Sequence, residues 1–396
     1  MNMGKKIFLM FFVNLGLFLA LFVLSEWVTS FFVNKAGSHL SADFYLNHTW
    51  KPMESKIHEE FVKENPRFPN KYKHFYNNEG WIEKYNVEVK KPQGVYRIFY
   101  VGDSFTEGTV EMNGSVPSLV EKGLNAMGKM QFEVINTGTS SYSPTLFYLL
   151  TLHKLIRYNP DLIVFNVDMT DDFDDWKYEK TLVLDNDGNP WACPPRNIYT
   201  SLMVDTPSGI KTSTWLLKCR LFLLTHSYTY NFFRHHFKSK EIHKNVNEKT
   251  KDTAQYVRWE WCKKSWDNKT ELRVKYTLNM VEKLLILCRN NKIKTVVTSV
   301  PHYKQFSPFD KAEANWSDRP HKEIQKVCKK MKSKCLDSHA GLKSIIEGTL
   351  QEKYYYNNDM HFNPLGYQKW AKVQLDFLKK RENAVFPEYF YEVSKK

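Results

Sequence analysis

From Val95 onward the chain alternates strand-like and helix-like segments, and this alternation constrains the fold more than any other feature. Tyr96–Val101 reads as a strand ended by Gly102-Asp103-Ser104, and Ser115–Met127 has helical spacing. Phe132–Asn136 is a second strand, Pro144–Tyr158 a helix, and Asp161–Val167 a buried strand of Leu, Ile, Val and Phe. Leu272–Asn290 is then a helix, Thr295–Val300 a strand, and Ile324–Met331 helical. Cys335-Leu336-Asp337 makes a short last strand, and Pro364–Lys380 a closing helix with proline in its first turn. Strands and helices of these lengths in alternation imply an α/β fold of three layers, a central parallel sheet covered by helices on both faces. Residues 176–270 interrupt the pattern. They read as a helical insertion, a lid or side subdomain, with Trp215–Phe237 as an amphipathic, aromatic-rich helix.

The N-terminus points to a membrane. Lys5 and Lys6 precede the charge-free run Ile7–Leu24, whose one polar member is Asn14. The apolar character continues through Trp27 and Phe31-Phe32-Val33, interrupted by Glu26. The run exceeds the roughly 7–15 apolar residues of a signal peptide, and no small-x-small cleavage site precedes Ala36. We therefore expect an uncleaved single-pass anchor over 1–33, with the lysines cytoplasmic and the rest exported. Residues 34–94 read as a membrane-proximal stalk packed loosely on a main domain of 95–380, and 381–396 as a C-terminal tail.

Composition removes several classes. With 25% charged and 42% hydrophobic residues, general disorder is excluded. A mean hydropathy of −0.52 excludes a multi-span membrane protein. The net charge of +14 comes from lysines spread along the chain, with no zinc-finger spacing and no basic heptads, so nucleic-acid binding is not expected. The six cysteines form no C-x-x-C pair, which argues against metal or thioredoxin-like chemistry. Cys328 and Cys335 are the candidate local disulfide, against free buried thiols. G-x-S-x-G, Walker and dinucleotide-binding loops are all missing, so no nucleotide cofactor is expected.

In a parallel sheet, ligands sit beyond the carboxyl ends of the strands. Four segments are expected at that edge: Gly102-Asp103-Ser104-Phe105, Asn136-Thr137-Gly138, Asp168–Asp172, and Asp359-Met360-His361 before the last helix. A serine, a glycine turn, an acidic turn and an Asp-x-His pair supply a nucleophile, an oxyanion hole and a general base.

With these blocks in this order, the sequence resembles the SGNH/GDSL hydrolase family over roughly residues 95–380, apart from much of the insertion. The resemblance implies a flavodoxin-like sheet. It implies Ser104 as nucleophile, His361 as general base and Asp359 holding the imidazole tautomer. It also implies that backbone N–H groups of Ser104 and Gly138 face the oxyanion. The third block departs from the family pattern, in which an asparagine completes the oxyanion hole. Here either Thr170 or Asp171 falls at that position, depending on whether Pro160-Asp161 or Phe173 sets the register. Thr170 can donate a hydroxyl hydrogen, whereas Asp171 donates only if protonated. Asp103 and His302, which follows a strand end and Pro301, are candidate substrate-binding residues; no metal is expected.

The expected function is acyl transfer at serine through an acyl-Ser104 intermediate. Water as acceptor gives an esterase and a sugar hydroxyl gives an O-acyltransferase. Family members on a single anchor resemble modifiers of envelope glycan O-acyl groups, which implies an acylated carbohydrate as substrate and a membrane acyl-donor protein as a candidate partner. The competing expectation is a catalytically impaired SGNH-like binding or assembly protein of a membrane complex, which the altered third block would allow.

Overall fold

The computed structural model describes residues 3–32, 40–58, 72–195, 258–306, 315–357 and 359–392, with short pieces between 203 and 230. Its centre is a five-stranded parallel sheet of β1 (Val95–Val101), β2 (Gln131–Asn136), β3 (Leu162–Asp168), β4 (Lys294–Val300) and β5 (Lys334–Asp337). The spatial order is β5-β4-β3-β1-β2. From β1 the chain goes first to one side and then to the other, so the strand order reverses between β1 and β3. Tyr100 pairs with Asn136 and Val101 with Phe165, which brings the carboxyl ends of the three site-forming strands together. Every strand expected from the sequence is present, within a residue or so at its ends.

Side-chain alternation along β1 builds two cores. Phe99 and Val101 face one layer with Phe147, Phe165 and Leu284, and Ile98 and Tyr100 face the other with Val120, Val164 and Trp370. The first layer holds helices α3 (Pro144–Leu150), α4 (Asp171–Glu179), α5 (Asn268–Asn290) and α6 (Arg319–Met331). The second holds α2 (Val116–Asn125), α7 (Ser338–Ile346) and α8 (Pro364–Leu378). Helix α5 starts where Asp267 accepts a hydrogen bond from Thr270 N at 2.8 Å, and it buries Val274, Val281, Leu284 and Cys288 along one stripe.

Several expectations need correction. The helix expected over Pro144–Tyr158 remains α-helical only to Leu150. It loosens into a π turn over Thr151–Leu155, tightens over Ile156–Tyr158, and stops at Asn159, which is left-handed at φ 51°. The described part of 34–94 is not a loose stalk. It forms two small hairpins, Leu40–Asp43 with Asn47–Trp50 and Ser55–His58 with Tyr72–Phe75. Trp81 enters the first core with its ring 5.3 Å from that of Phe99. The C-terminal segment is no free tail either: Phe386 and Phe390 pack on Phe132, and Tyr96 Oη donates to Val385 O at 2.5 Å. Cys328 and Cys335 are free thiols, as are Cys193, Cys262 and Cys288. The expected helix over Trp215–Phe237 lies almost wholly outside the described residues.

The N-terminal helix α1 (Met3–Phe32) runs 30 residues, ~45 Å at the α-helical rise. Its segment Phe12–Thr29 has a mean hydropathy of 1.8 and is scarcely buried. It is long and apolar enough to be a membrane anchor or a signal sequence.

Candidate active site

The loop leaving β1 turns sharply into one helical turn, Ser104–Glu107, capped by Asp103, whose carboxylate accepts from Phe105 N at 2.9 Å. Gly102 has no room for a side chain, because a Cβ there would overlap the hydroxyl of Thr106 and press on Asn166 at 3.2 Å. The turn therefore stands Ser104 at the sheet edge, partly exposed. His361 arrives from the loop before α8, whose first turn is closed by Asn363 accepting from Gly366 N at 3.0 Å.

Ser104 Oγ lies 2.7 Å from His361 Nε2, and His361 Nδ1 lies 2.6 Å from Asp359 Oδ1. The same carboxylate oxygen accepts the backbone N–H of His361 at 2.8 Å. The two-residue spacing thus lets one carboxylate hold both the main chain and the ring of its histidine. Nδ1–H donates to Asp359, so Nε2 accepts from the serine hydroxyl, the tautomer a general base requires. Burial works against the charge on Asp359, but the hydrogen bonds and charge of His361 outweigh it and hold the carboxyl below its usual range. The Phe105 ring, 4.8 Å from the imidazole, packs against it.

The glycine turn after β2 is built differently from expectation. Gly138 N–H donates to Asn136 Oδ1 at 3.0 Å, so it is committed within its own turn rather than aimed at an oxyanion. The glycine is needed for packing: a Cβ at 138 would overlap Glu107 N and come within 2.6 Å of Thr106 C, both backbone atoms. Gly138→Ala is expected to cost about 3 kcal/mol or more, since two backbones must separate. Urea unfolding measures this, and a loss under about 1 kcal/mol would contradict the close approach.

The third block also departs from expectation. Thr170 is buried, and its hydroxyl donates to Asp168 Oδ2, which also accepts Thr170 N at 3.0 Å. Asp171 is fully buried; Oδ2 accepts from Asp168 N at 3.0 Å, and Oδ1 finds no partner among the described residues. Asp103, expected to touch substrate, is 4% exposed and turned inward. Carboxylate oxygens of Asp103, Asp168 and Asp171 lie within 4.8 Å of one another beneath the nucleophile loop. This trio has the spacing to hold a cation, yet carboxylates this close and dry also share protons. Burial and the charge of Asp168 push Asp103 well up, and burial with the charges of Asp168 and Asp103 does the same to Asp171. Burial also raises Asp168, against the Thr170 hydrogen bond and the charge of Arg258.

Of the four expected oxyanion donors, Ser104 N–H alone stays clear of internal use among the described residues. The hydrogen bonds closing its turn run from Thr106 and Glu107 N–H to Asp103 O, and from Gly108 N–H to Ser104 O.

Four residues that sequence reasoning missed support the site. Asn166, buried in β3, donates to Thr106 Oγ1 at 2.7 Å and accepts from Thr298 Oγ1 at 2.6 Å, fixing the turn from below. Glu107 accepts from Ser140 N and Oγ at 3.2 and 2.7 Å, tying the first two loops together. Asn166 had a signal, an amide inside an apolar strand, whereas Glu107 had none. Arg258 and Trp259 come from the end of the insertion, which has no periodicity to place it. The charge of Arg258 acts on Asp103, Asp168 and His302. His302, at the end of β4, lies within the field of Asp359 and His361.

No protein-family model matches the sequence, and no curated protein is significantly similar to it. Solved structures give remote likenesses. Axe2, an acetylxylan esterase from Geobacillus stearothermophilus, is 11% identical with a TM-score of 0.40, covering 76% of this chain and 97% of its own. LAE5, an alpha/beta hydrolase enzyme from the metagenome of Lake Arreo, Spain, is 10% identical with a TM-score of 0.39, over 71% and 94%. The acetyl xylan esterase AlAXEase is 12% identical with a TM-score of 0.38, over 71% and 99%.

Proposed function

We propose that this chain is an SGNH-type serine esterase or O-acyltransferase that acts on O-acyl groups of carbohydrate. The observation carrying the reading is the continuous hydrogen-bond chain from Ser104 Oγ through His361 to Asp359, at 2.7 and 2.6 Å, on the carboxyl edge of a parallel sheet. Ser104 Oγ attacks the ester carbonyl carbon while His361 Nε2 takes its proton. Ser104 N–H faces the negative oxygen of the tetrahedral intermediate. The C–O bond to the sugar then breaks, and His361 returns the proton to the departing alkoxide, leaving acyl-Ser104. Water, or a second sugar hydroxyl, gives its proton to His361 and attacks the acyl carbon. Ser104 leaves and recovers its proton. Asp359 keeps the imidazole oriented and offsets the charge it carries between these steps. With Lys5 and Lys6 on the inner side of helix α1 taken as an anchor, the site works outside the membrane.

The thinned set of oxyanion donors favours a second reading, a binding or assembly protein with weak turnover, because each lost donor costs about 2.7–4 kcal/mol of transition-state stabilisation. The two are separated by incubating the detergent-solubilised full chain with an O-acetylated oligosaccharide and following acetate by NMR. Acetate release, or acetyl transfer to an added deacetylated oligosaccharide, is expected in the wild type and absent in Ser104→Ala. No release or transfer from folded wild-type protein would favour the second reading.

A further inference from the structure

Within electrostatic reach of Asp359 and His361 lies a cluster of rings that the proposed chemistry does not use. The imidazole of His302 packs against two indoles, with its centroid 4.2 Å from Trp259 and 4.9 Å from Trp316, nearly parallel to the latter at 29°. The indoles are themselves 5.7 Å apart, so the three rings form a triangle, and Trp259, His302 and Trp316 are each half-buried residues. A clasp of main chain carries the tryptophans: Lys264 N donates to Asn315 O at 2.9 Å and Ser317 N to Cys262 O at 2.7 Å. Such a clasp rigidly joins the end of the insertion to the segment after β4.

The histidine is held in one tautomer. Lys304 N donates to His302 Nδ1 at 3.2 Å, so the ring hydrogen resides on Nε2. His302 N donates to Gln305 Oε1 at 2.8 Å, and Gln305 Nε2 donates to Ser317 O at 2.8 Å, which fixes the backbone below the ring. Burial, reinforced by the charge of Lys304, pushes His302 down to about 3, so the ring is neutral at any working pH. Among the described residues no acceptor meets its Nε2–H.

Half-buried indoles grouped with a fixed polar donor match a ligand that is apolar on its faces and hydroxylated around its edge. His302 Nδ1 caps the 3-10 turn Tyr303–Gln305, and that cap leaves the Nε2–H edge as the donor the ring can offer a ligand. We propose that Trp259, His302 and Trp316 form a sugar-binding subsite, the indoles covering a pyranose face and His302 Nε2–H donating to a ring hydroxyl. The inference rests on the carbohydrate-ester reading and names the part of the chain that would recognise the carbohydrate.

The test measures binding without turnover, so that it stays readable if the esterase reading fails. Full-length Ser104→Ala protein in detergent is titrated calorimetrically with deacylated cellotriose, xylotriose and N-acetylchitotriose. Saturable binding of at least one is expected. It should weaken ten-fold or more in Trp259→Ala or Trp316→Ala and about five-fold in His302→Ala, with partial recovery in His302→Gln, whose amide keeps a donor. On the active enzyme, the preference in kcat/KM for an acetylated trisaccharide over a small acetyl ester should fall ten-fold or more in the same variants. If a tryptophan variant unfolds, His302→Gln against His302→Ala carries the comparison. No saturable binding of any trisaccharide, or binding equal in all variants, would overturn the subsite.

Discussion

Ser104→Ala and His361→Ala are each expected to lower hydrolysis of a small acetyl ester by about 10⁴-fold or more, while the thermal midpoint moves little. Both effects follow from geometry. The 2.7 Å bond to Nε2 is the route by which the serine proton leaves in the proposed reaction. The two losses do not add: the double variant retains about the activity of either single one, because the residues act as a unit. Asp359→Asn retains more activity than His361→Ala but loses the fixed tautomer, since an amide nitrogen facing Nδ1 turns the ring's hydrogen toward the serine. Steady-state kinetics on the purified chain, with thermal melts of each variant, checks all three. Additive losses in the double variant would contradict a coupled triad.

Asp171→Asn stabilises the protein at alkaline pH. Burial and mutual charge push Asp103 and Asp171 well up in the folded chain and burial raises Asp168, whereas each of these carboxyls ionises near pH 4 when unfolded. A carboxyl raised by folding binds more protons in the folded state, so its stabilising contribution is complete below the unfolded value and drains away as pH rises to the folded one. Glu83, pushed up to about 8, and Asp172, pushed up to about 7, both chiefly by burial, act in the same direction. Asparagine at 171 keeps an acceptor for Asp168 N–H and offers a permanent donor to the neighbouring carboxylates. The melting temperature of the variant at pH 8.5 should rise by roughly 3–6 °C, and its decline between pH 5 and 8.5 should shrink without vanishing. Equal slopes in wild type and variant would contradict an upward shift of the Asp171 carboxyl on folding.

The strands and the meeting of Ser104, His361 and Asp359 were legible for different reasons. Strands β1 and β3 are largely apolar runs bounded by glycine, proline or acidic residues, and fully buried parallel strands tolerate little else. Ser104, His361 and Asp359 were legible because their blocks lie next to elements whose ends the sequence marks: a strand ending at Gly102 and a helix opening at Pro364. Oxyanion donors were not, because donor availability depends on where each N–H and hydroxyl finds its acceptor. Only three-dimensional placement reveals that Gly138 N–H belongs to Asn136 and the Thr170 hydroxyl to Asp168. The 34–94 segment was misread because Trp50, Tyr76 and Trp81 lie among charged and polar residues with no regular period. Their burial comes from long-range contacts such as Trp81 on Phe99. Trp259 escaped notice for the same reason: its partners, His302 and Trp316, are far away in sequence.

The central claim is that Ser104 is an activated nucleophile. Intact-mass and peptide mass spectrometry after treatment with a fluorophosphonate tests it most directly, on the full-length chain and on the Ser104→Ala and His361→Ala variants. The account predicts one adduct in the wild type, on the peptide containing Ser104, and none in either variant. A folded wild-type protein that takes no label, or one labelled equally in the His361→Ala variant, would contradict it.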